Sequence, residues 1–151
     1  MPLCREIASH FYPKVRENLP QAMEVTGELH EHGIIEIVTI GDYMLTRMKK
    51  QITPEHFDVF DSWVDTLTNW ANTDEMCTNL VAETIRKEPK LVEKLLIWTD
   101  SDNRWRRRAA AVSLVPIARN GEKREEVFRI ADRLIEDRDD VVQKGVGWLL
   151  K

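Results

Sequence analysis

Two tryptophans and one aspartate are the residues of this chain best suited to chemistry on a positively charged group. Trp70 and Asp74 lie four residues apart, and Trp148 lies close to the end of the sequence. The face of an indole attracts a cation, and a carboxylate stabilises positive charge that develops during a reaction. The arginine run Arg104–Arg108 adds a guanidinium that can bind a phosphate beside that cation. Together these side chains can bind and stabilise a cation held next to a phosphate.

The same residues can also have purely structural roles, and their spacing alone favours these roles over a functional one. Asp74 suits the first turn of a helix, where the helix dipole stabilises a carboxylate by about 0.3–1 kcal/mol. Trp70 can fill a gap between helical hairpins, and Trp148 lies in an apolar stretch typical of a core. Arg108 can lie on the solvated side of its helix. In this interpretation Trp70 and Asp74 flank a turn between two helices.

Several familiar catalytic and metal-binding motifs are absent. The sequence has no phosphate-binding glycine loop, no GxSxG, no HExxH and no helix-hairpin-helix glycine motif. His30 and His32 are two residues apart and therefore point in different directions on a helix. No cysteine or third histidine lies near them in sequence, so a surface loop or helix end is predicted for this pair rather than a metal site.

Composition indicates a single helical domain over residues 1–151. The chain is 42% hydrophobic and 32% charged and has only 6 glycines and 6 prolines, which favours helices over sheets. Cys4 and Cys77 show no CxxC spacing, as expected for reduced thiols in a cytosolic protein. The longest apolar run, residues 109–118, contains Ser113 and Pro116 and is too short to span a bilayer. We therefore expect a soluble, cytoplasmic protein without a signal peptide.

Charge is distributed unevenly along the chain. The formal net charge is −4, but Lys and Arg are concentrated in residues 76–151 whereas Asp and Glu are spread over both halves. An acidic first half and a basic second half permit a local phosphate-binding surface on an acidic protein. They do not require one.

Helical periodicity predicts stacked antiparallel helix pairs. Apolar residues recur at helical spacing in nearly every segment between turn signals, and helix pairs start near Pro54, Pro89 and Lys123, which are 34–35 residues apart. Such an offset is typical of an α-solenoid. The predicted fold is all-α, an α-α superhelix of the HEAT/ARM type. Its predicted helices cover residues 34–50, 53–67, 73–88, 91–98, 103–119, 125–135 and 141–150.

Three sequence blocks, in this order and at this spacing, resemble one enzyme family. The blocks are Trp70-Ala71-Asn72-Thr73-Asp74, the run from Trp98 to Ala110, and the run from Gln143 to Lys151. They resemble the AlkD-like DNA alkylation-repair glycosylases, which are built from HEAT-like helical repeats. The resemblance covers about residues 33–151. Residues 1–32 are predicted to form N-terminal helices outside it.

The resemblance implies a catalytic cleft and a substrate. In that family a carboxylate and two tryptophans line a concave cleft, so Asp74, Trp70 and Trp148 are the implied catalytic residues. Members excise cationic alkylated purines such as 3-methyladenine and 7-methylguanine, and the lesion need not enter a base pocket. The implied partner is double-stranded DNA containing such purines. No metal or organic cofactor is implied, and we expect a monomer.

Five basic residues are the candidate DNA ligands. The resemblance implies that Arg108 engages the DNA backbone and that Lys151 makes a further backbone contact at a position that is usually arginine. Arg107, Arg104 and Lys144 would add affinity that is independent of sequence and sensitive to salt.

Two departures from the family pattern keep other functions open. Many relatives carry a second acid directly after the first tryptophan, where this chain has Ala71, and many have a basic cleft on a basic protein. One alternative is a HEAT-like module that binds DNA without cleaving it. Another is a scaffold that binds proteins, which would suit the acidic first half.

Overall fold

All regular structure is helical, as predicted. The computed structural model describes residues 1–151 and contains no strand. Short 3-10 turns cover Lys49–Gln51, Pro54–His56 and Pro89–Leu91, and a π-helical segment covers Cys77–Val81. The α-helices are α1 (Pro2–Val15), α2 (Leu19–Glu31), α3 (Ile35–Arg47), α4 (Phe57–Val64), α5 (Trp70–Met76), α6 (Ala82–Lys87), α7 (Val92–Trp98), α8 (Arg104–Val112), α9 (Val115–Ala118), α10 (Arg124–Leu134) and α11 (Asp140–Leu149).

The N-terminal helices pack closely on α3. Helix α2 is capped by the Asn18 carboxamide oxygen, which accepts a hydrogen bond from the backbone N–H of Gln21 at 3.1 Å. Gly41 lies where α3 crosses α2, and a Cβ there would lie 2.9 Å from Cγ2 of Thr26. A larger residue would therefore force the two helices apart. This close crossing fixes α3, which forms one wall of the site described below.

Side-chain bonds between successive hairpins follow the repeat offset. Nδ2 of Asn72 donates to Oγ1 of Thr39 at 2.8 Å, 33 positions away, and Nε1 of Trp98 donates to Oδ1 of Asp61 at 2.8 Å, 37 positions away. Both separations lie close to the predicted 34–35 residues. Equivalent positions of neighbouring helix pairs therefore meet, and the stacked pairs share a single apolar core.

Helix α5 begins earlier than the sequence pattern predicted. The Asn69 side-chain oxygen accepts a hydrogen bond from the backbone N–H of Asn72 at 2.9 Å and starts the helix at Trp70 rather than near Thr73. Trp70 and Asp74 therefore do not flank a turn. They are one helical turn apart on the same face of α5, because side chains at i and i+4 lie one above the other.

The long basic helix predicted over residues 103–119 is interrupted. Helix α8 ends at Val112, Ser113 and Leu114 form a turn, and α9 begins at Val115. Pro116 has no backbone N–H for the carbonyl of Val112, and its ring would clash with that carbonyl in a continuous helix. The predicted end at Asn120-Gly121 is confirmed, since Gly121 has a φ of 73° and leads the chain into the next hairpin.

His30 is buried, so its predicted place at the surface is wrong. Its Nε2 lies 2.9 Å from Oδ1 of Asp42, its Nδ1 lies 3.3 Å from Oγ1 of Thr66, and its ring stacks on Trp63 at 4.7 Å between centroids. His32 is exposed, as predicted. Both cysteines are free and buried. None of the helices is both long and apolar enough to cross a membrane.

Candidate active site

Trp70, Asp74 and Trp148 line one cleft. The cleft has a volume of about 370 Å³ and lies between α3, α5 and α11. The three residues come from positions up to 78 apart in sequence, and the repeat stack brings them together. The remaining lining residues are Met1, Thr39, Tyr43, Ala71, Glu75 and Thr78.

Asn72 sets the orientation of α5. Its buried carboxamide donates to Oγ1 of Thr39 at 2.8 Å and to the backbone carbonyl of Ile35 at 3.2 Å, both on α3. Because Asn72 points into α3, Trp70 and Asp74 point outward into the cleft. Trp70 is 62% exposed, unusual for an indole at the start of a helix. Its ring is available to a ligand.

Asp74 is held by a forked ion pair with Arg108. Nε of Arg108 donates to Oδ1 at 2.8 Å and Nη2 donates to Oδ2 at 2.7 Å. The Arg108 side chain is 7% exposed and the Asp74 side chain 16% exposed. Such a two-point contact fixes the carboxylate plane. It also means that Arg108 lies behind Asp74, and not on the solvated side of its helix.

Close packing of α11 on α8 keeps Arg108 in this position. Nη1 of Arg108 donates to the backbone carbonyl of Val141 at 2.6 Å. A Cβ on Gly145 would lie 3.3 Å from Cγ of Arg108 and 3.4 Å from Cγ1 of Val112. The small residue at position 145 therefore lets α11 approach the arginine. One guanidinium thereby joins three helices, α5, α8 and α11.

A π-helical segment follows Asp74 directly. The segment Cys77–Val81 is π-helical, and a hydroxyl and an amide side chain in it donate to backbone carbonyls of α5. Oγ1 of Thr78 donates to the carbonyl of Asp74 at 2.7 Å, and Nδ2 of Asn79 donates to the carbonyl of Glu75 at 2.8 Å. The backbone that carries the cleft carboxylate is thus held from both sides. Segments of this kind are frequent at functional sites.

Trp148 closes the cleft from α11. Its indole packs partly against the apolar core, and the guanidinium of Arg119 lies 5.6 Å from its ring centroid. The candidate DNA ligands near it differ in their surroundings. Lys144 is exposed and its Nζ lies 2.7 Å from Oδ2 of Asp140, whereas Lys151 is exposed and has no carboxylate within 4.0 Å.

The predicted basic cluster is largely neutralised by aspartates. Nε of Arg104 lies 3.1 Å from Oδ2 of Asp139, and Nε of Arg107 lies 2.6 Å from Oδ2 of Asp137. Burial acts against ionisation of Asp137, but the hydrogen bonds from Arg107 and from the backbone N–H of Asp139 outweigh it and lower the pKa of Asp137. The cluster therefore joins hairpins, because the aspartate-rich turn before α11 meets the start of α8.

Sequence reasoning missed two polar residues of the cleft, Glu75 and Tyr43. Burial raises the pKa of Glu75, and the nearby Asp42 carboxylate raises it further, against the opposing charge of Arg5. The signal for Glu75 was its place beside Asp74 in sequence. Tyr43 lies among the apolar residues of the predicted helix that starts at residue 34, so its place in the cleft had no signal. The structure contains no group of three or more potential metal ligands.

Comparison with known proteins identifies one family. A family model described as "DNA alkylation repair enzyme" matches residues 1–151. The match includes α1 and α2, which contain none of the three sequence blocks described above. A search of curated proteins found no match.

Proposed function

The chain belongs to the DNA alkylation repair enzyme family, and from this premise we propose that it is a DNA glycosylase for cationic alkylated purines. The proposed reaction is hydrolysis of the N-glycosidic bond of bases such as 3-methyladenine and 7-methylguanine. The observation that carries the proposal is the cleft, in which a fixed carboxylate lies between an exposed indole and a second tryptophan.

Asp74 is the proposed catalytic carboxylate. A ring-methylated purine is positively charged and leaves readily, so little general-acid assistance is required. Breaking its bond to C1′ develops oxocarbenium character on the deoxyribose, and an ionised Asp74 stabilises that charge electrostatically. Each carboxylate oxygen can accept two hydrogen bonds. After Arg108 has taken one on each, Asp74 can still accept a hydrogen bond from the attacking water and position it against C1′.

The two tryptophans are proposed to bind the cation. Each indole face contributes about 0.5–2 kcal/mol of cation–π attraction, depending on how far the site excludes water. Trp70 is open to a ligand, and Trp148 is more firmly set in the protein. The difference suits one ring that adapts to the DNA and one that defines the cleft wall. Ala71, which also lines the cleft, supplies no acid at its position. Glu75 lines the cleft too, but burial raises its pKa and so disfavours its ionised form, whereas Asp74 is held by the Arg108 guanidinium. The catalytic role is therefore proposed for Asp74.

Arg108 is proposed as a residue that positions Asp74 relative to the bound DNA. Its fork holds the carboxylate in one orientation, whereas a phosphate ligand would have to compete with that carboxylate. Lys144 and Lys151 are the proposed phosphate contacts among the exposed candidates. Arg104 and Arg107 remain proposed ligands, with weaker contributions because each must exchange an aspartate partner.

The proposed partner is double-stranded DNA containing alkylated purines, bound by a monomer. The reaction as proposed uses water and the residues of the cleft, without a metal or an organic cofactor. Free buried thiols at Cys4 and Cys77 suit a reducing compartment, and we place the activity in the cytoplasm as part of the same proposal.

Single-turnover base release tests this function. Wild type and Asp74→Asn are incubated in excess over methylated duplex DNA, and released 7-methylguanine and 3-methyladenine are measured. Asp58→Asn is the matched control, since Asp58 is exposed and ion-paired with Lys94 on another face. We expect release by wild type and the control, and release slowed by about 100-fold or more in Asp74→Asn.

The other outcomes select other functions. Equal release by wild type and Asp74→Asn would refute the role of Asp74. No release by wild type, with salt-dependent DNA binding intact, would identify a DNA-binding module that does not cleave. Neither release nor DNA binding would point to a protein-binding scaffold.

A further inference from the structure

Five arginines have no carboxylate oxygen within 4.0 Å, and they are not those of the predicted cluster. Arg104, Arg106, Arg107 and Arg108 each pair with an aspartate. The unpaired arginines have their full charge available to an outside anion. They are Arg5, Arg47, Arg119, Arg124 and Arg138.

Two of these free arginines share a polar cavity beside the tryptophan cleft. Arg5 on α1 and Arg47 at the end of α3 line a cavity of about 440 Å³, which we call the arginine niche. Tyr43 and Glu75 line both the niche and the cleft. The two depressions are therefore continuous along one surface. The other lining residues are Ala8, Ser9, Thr46 and Asn79.

The niche holds its guanidinium groups without neutralising them. Nη1 of Arg47 donates to Oγ of Ser9 at 2.8 Å, and its guanidinium lies 4.5 Å from the ring centroid of Tyr12. The guanidinium of Arg5 lies 5.0 Å from the ring centroid of Tyr43. Aromatic rings and a hydroxyl orient an arginine but leave its charge unmatched. This differs from Arg108, whose fork is occupied by Asp74.

The niche is positively charged and has polar groups to spare. Glu75 is the single acidic lining residue against two guanidinium groups, and its Oε1 already accepts from Nδ2 of Asn79 at 3.1 Å. The hydroxyl of Thr46 has no hydrogen-bond partner. Two guanidinium groups without a carboxylate partner, together with neighbouring hydroxyl and amide groups, are the kind of donors that bind phosphate oxygens.

We propose that the arginine niche binds a backbone phosphodiester of the DNA strand that crosses the tryptophan cleft. Arg5 and Arg47 donate to the phosphate oxygens, and the phosphate fixes the strand on the N-terminal side of Trp70 and Asp74. The proposal rests on the proposed function in that DNA is the ligand. It adds α1, whose helix had no motif in the sequence, to the DNA-binding surface.

Salt dependence of DNA affinity provides the first test. Dissociation constants for a lesion-free duplex are measured over a series of salt concentrations for wild type, Arg5→Gln, Arg47→Gln and the double variant. Each lost phosphate contact lowers the slope of log K against log salt by about 0.9. We expect a loss of about one in slope for each arginine and roughly tenfold weaker binding for the double variant.

Arg16→Gln is the matched control. It removes the same charge from the end of the same helix, about 16 Å along the axis from Arg5, where the Arg16 guanidinium pairs with its exposed neighbour Glu17. A change in net charge alone would alter this variant and the niche variants equally. The double substitution Arg5→Lys and Arg47→Lys should retain the slope, since it preserves both charges.

A neutral methylphosphonate linkage, moved one position at a time along the strand, provides the second test. At one position of the strand, the neutral linkage should weaken binding by wild type. It should leave binding by the double glutamine variant unchanged, because that variant has already lost the contact with this phosphate. The niche proposal would be overturned if the niche variants had the same salt slopes and affinities as Arg16→Gln and if no linkage position distinguished wild type from the double glutamine variant. The two proposals can fail separately. If wild type releases no base but the niche variants still lower the salt slope, the proposed glycosylase is refuted and the niche remains supported.

Discussion

Two clusters in this molecule combine an aspartate, a tryptophan and a basic residue, and only one of them is open to solvent. In the closed cluster, His30 bonds to Asp42 and stacks on Trp63, and the His30 and Asp42 side chains are both 0% exposed. In the open cluster, Arg108 pairs with Asp74, which lines the same cleft as Trp70. Trp63 is 8% exposed and Trp70 is 62% exposed.

The basic residue in each cluster suits its surroundings. Burial raises the pKa of Asp42 despite the hydrogen bond from His30, since a charge is unfavourable in the apolar interior. Nε2 of His30 lies 2.9 Å from Oδ1 of this carboxyl. An arginine remains charged, so Arg108 requires an ionised partner, and the cleft gives Asp74 access to solvent. Similar residue types therefore occur in two different environments, and solvent exposure separates the two clusters.

The tryptophans should give the largest contrast. Trp63→Ala removes a buried indole and its stack on His30, so we expect the free energy of unfolding to fall by about 3–5 kcal/mol. Trp70→Ala removes an exposed ring and should change it by about 0.5 kcal/mol or less, while slowing base release by roughly tenfold. Urea unfolding and single-turnover release measure the two effects, and equal loss of stability in both variants would contradict the comparison.

The aspartates should separate chemistry from stability. Asp74→Asn should slow base release by about 100- to 1,000-fold, a barrier change of about 2.7–4 kcal/mol, and retain lesion-free DNA binding. Asp42→Asn puts an amide N–H₂ where Oδ2 already has no hydrogen-bond partner. It should lower the free energy of unfolding by about 1–3 kcal/mol. Its base-release rate per folded molecule should match wild type, and a loss of that rate would mean that the closed cluster takes part in the reaction.

The arginine of the open cluster should have a smaller effect. Arg108→Lys keeps the charge but loses the fork on Asp74, so base release should fall by roughly tenfold with unchanged affinity for lesion-free DNA. Both quantities are measured for Arg108→Lys beside Arg129→Lys, a change on the outer face where Arg129 pairs with Glu93. A large fall in DNA affinity with an unchanged release rate would show that Arg108 binds phosphate and does not position Asp74.

The Arg107–Asp137 pair, outside both clusters, should give the smallest effect. The folded pKa of Asp137 lies below its usual 3.8, so its stabilising contribution is present above that value and is lost as pH falls through the lowered pKa. Asp137→Asn should cost about 1 kcal/mol at neutral pH, and the difference should shrink as the pH falls below 3.8 and through the lowered pKa. Unfolding of both proteins from pH 7 to 2.5 measures this; a difference that persists at the acid end would assign the effect to packing.

Local patterns predicted the elements of the fold because helix signals are short-range. Prolines, N-cap residues and apolar periodicity fixed most helix boundaries within a few residues, and the offset of the pairs predicted the stacking. Errors arose where two local signals competed. Asn69 provided an earlier cap than Thr73, and Pro116 interrupted a helix whose apolar period continued through it.

For the site, the sequence blocks pointed to candidate residues but not to their side-chain contacts. Trp70, Asp74 and Trp148 share a cleft, as the resemblance implied. The pairing of Arg108 with Asp74 and the free charges of Arg5 and Arg47 had no sequence signal. Each depends on contacts between hairpins that are distant along the chain.

The sequence by itself determined that this chain is a stack of helix pairs and which residues could carry a reaction on a cation, because periodicity and residue chemistry are local properties. Only the tertiary structure decided which charges are free. Aspartates from neighbouring hairpins neutralise the arginines that look most basic in sequence, while Arg5 and Arg47 meet rings and hydroxyl groups instead. The reason is physical: the field at a site is set by distances between side chains, and the packing of the hairpins sets those distances.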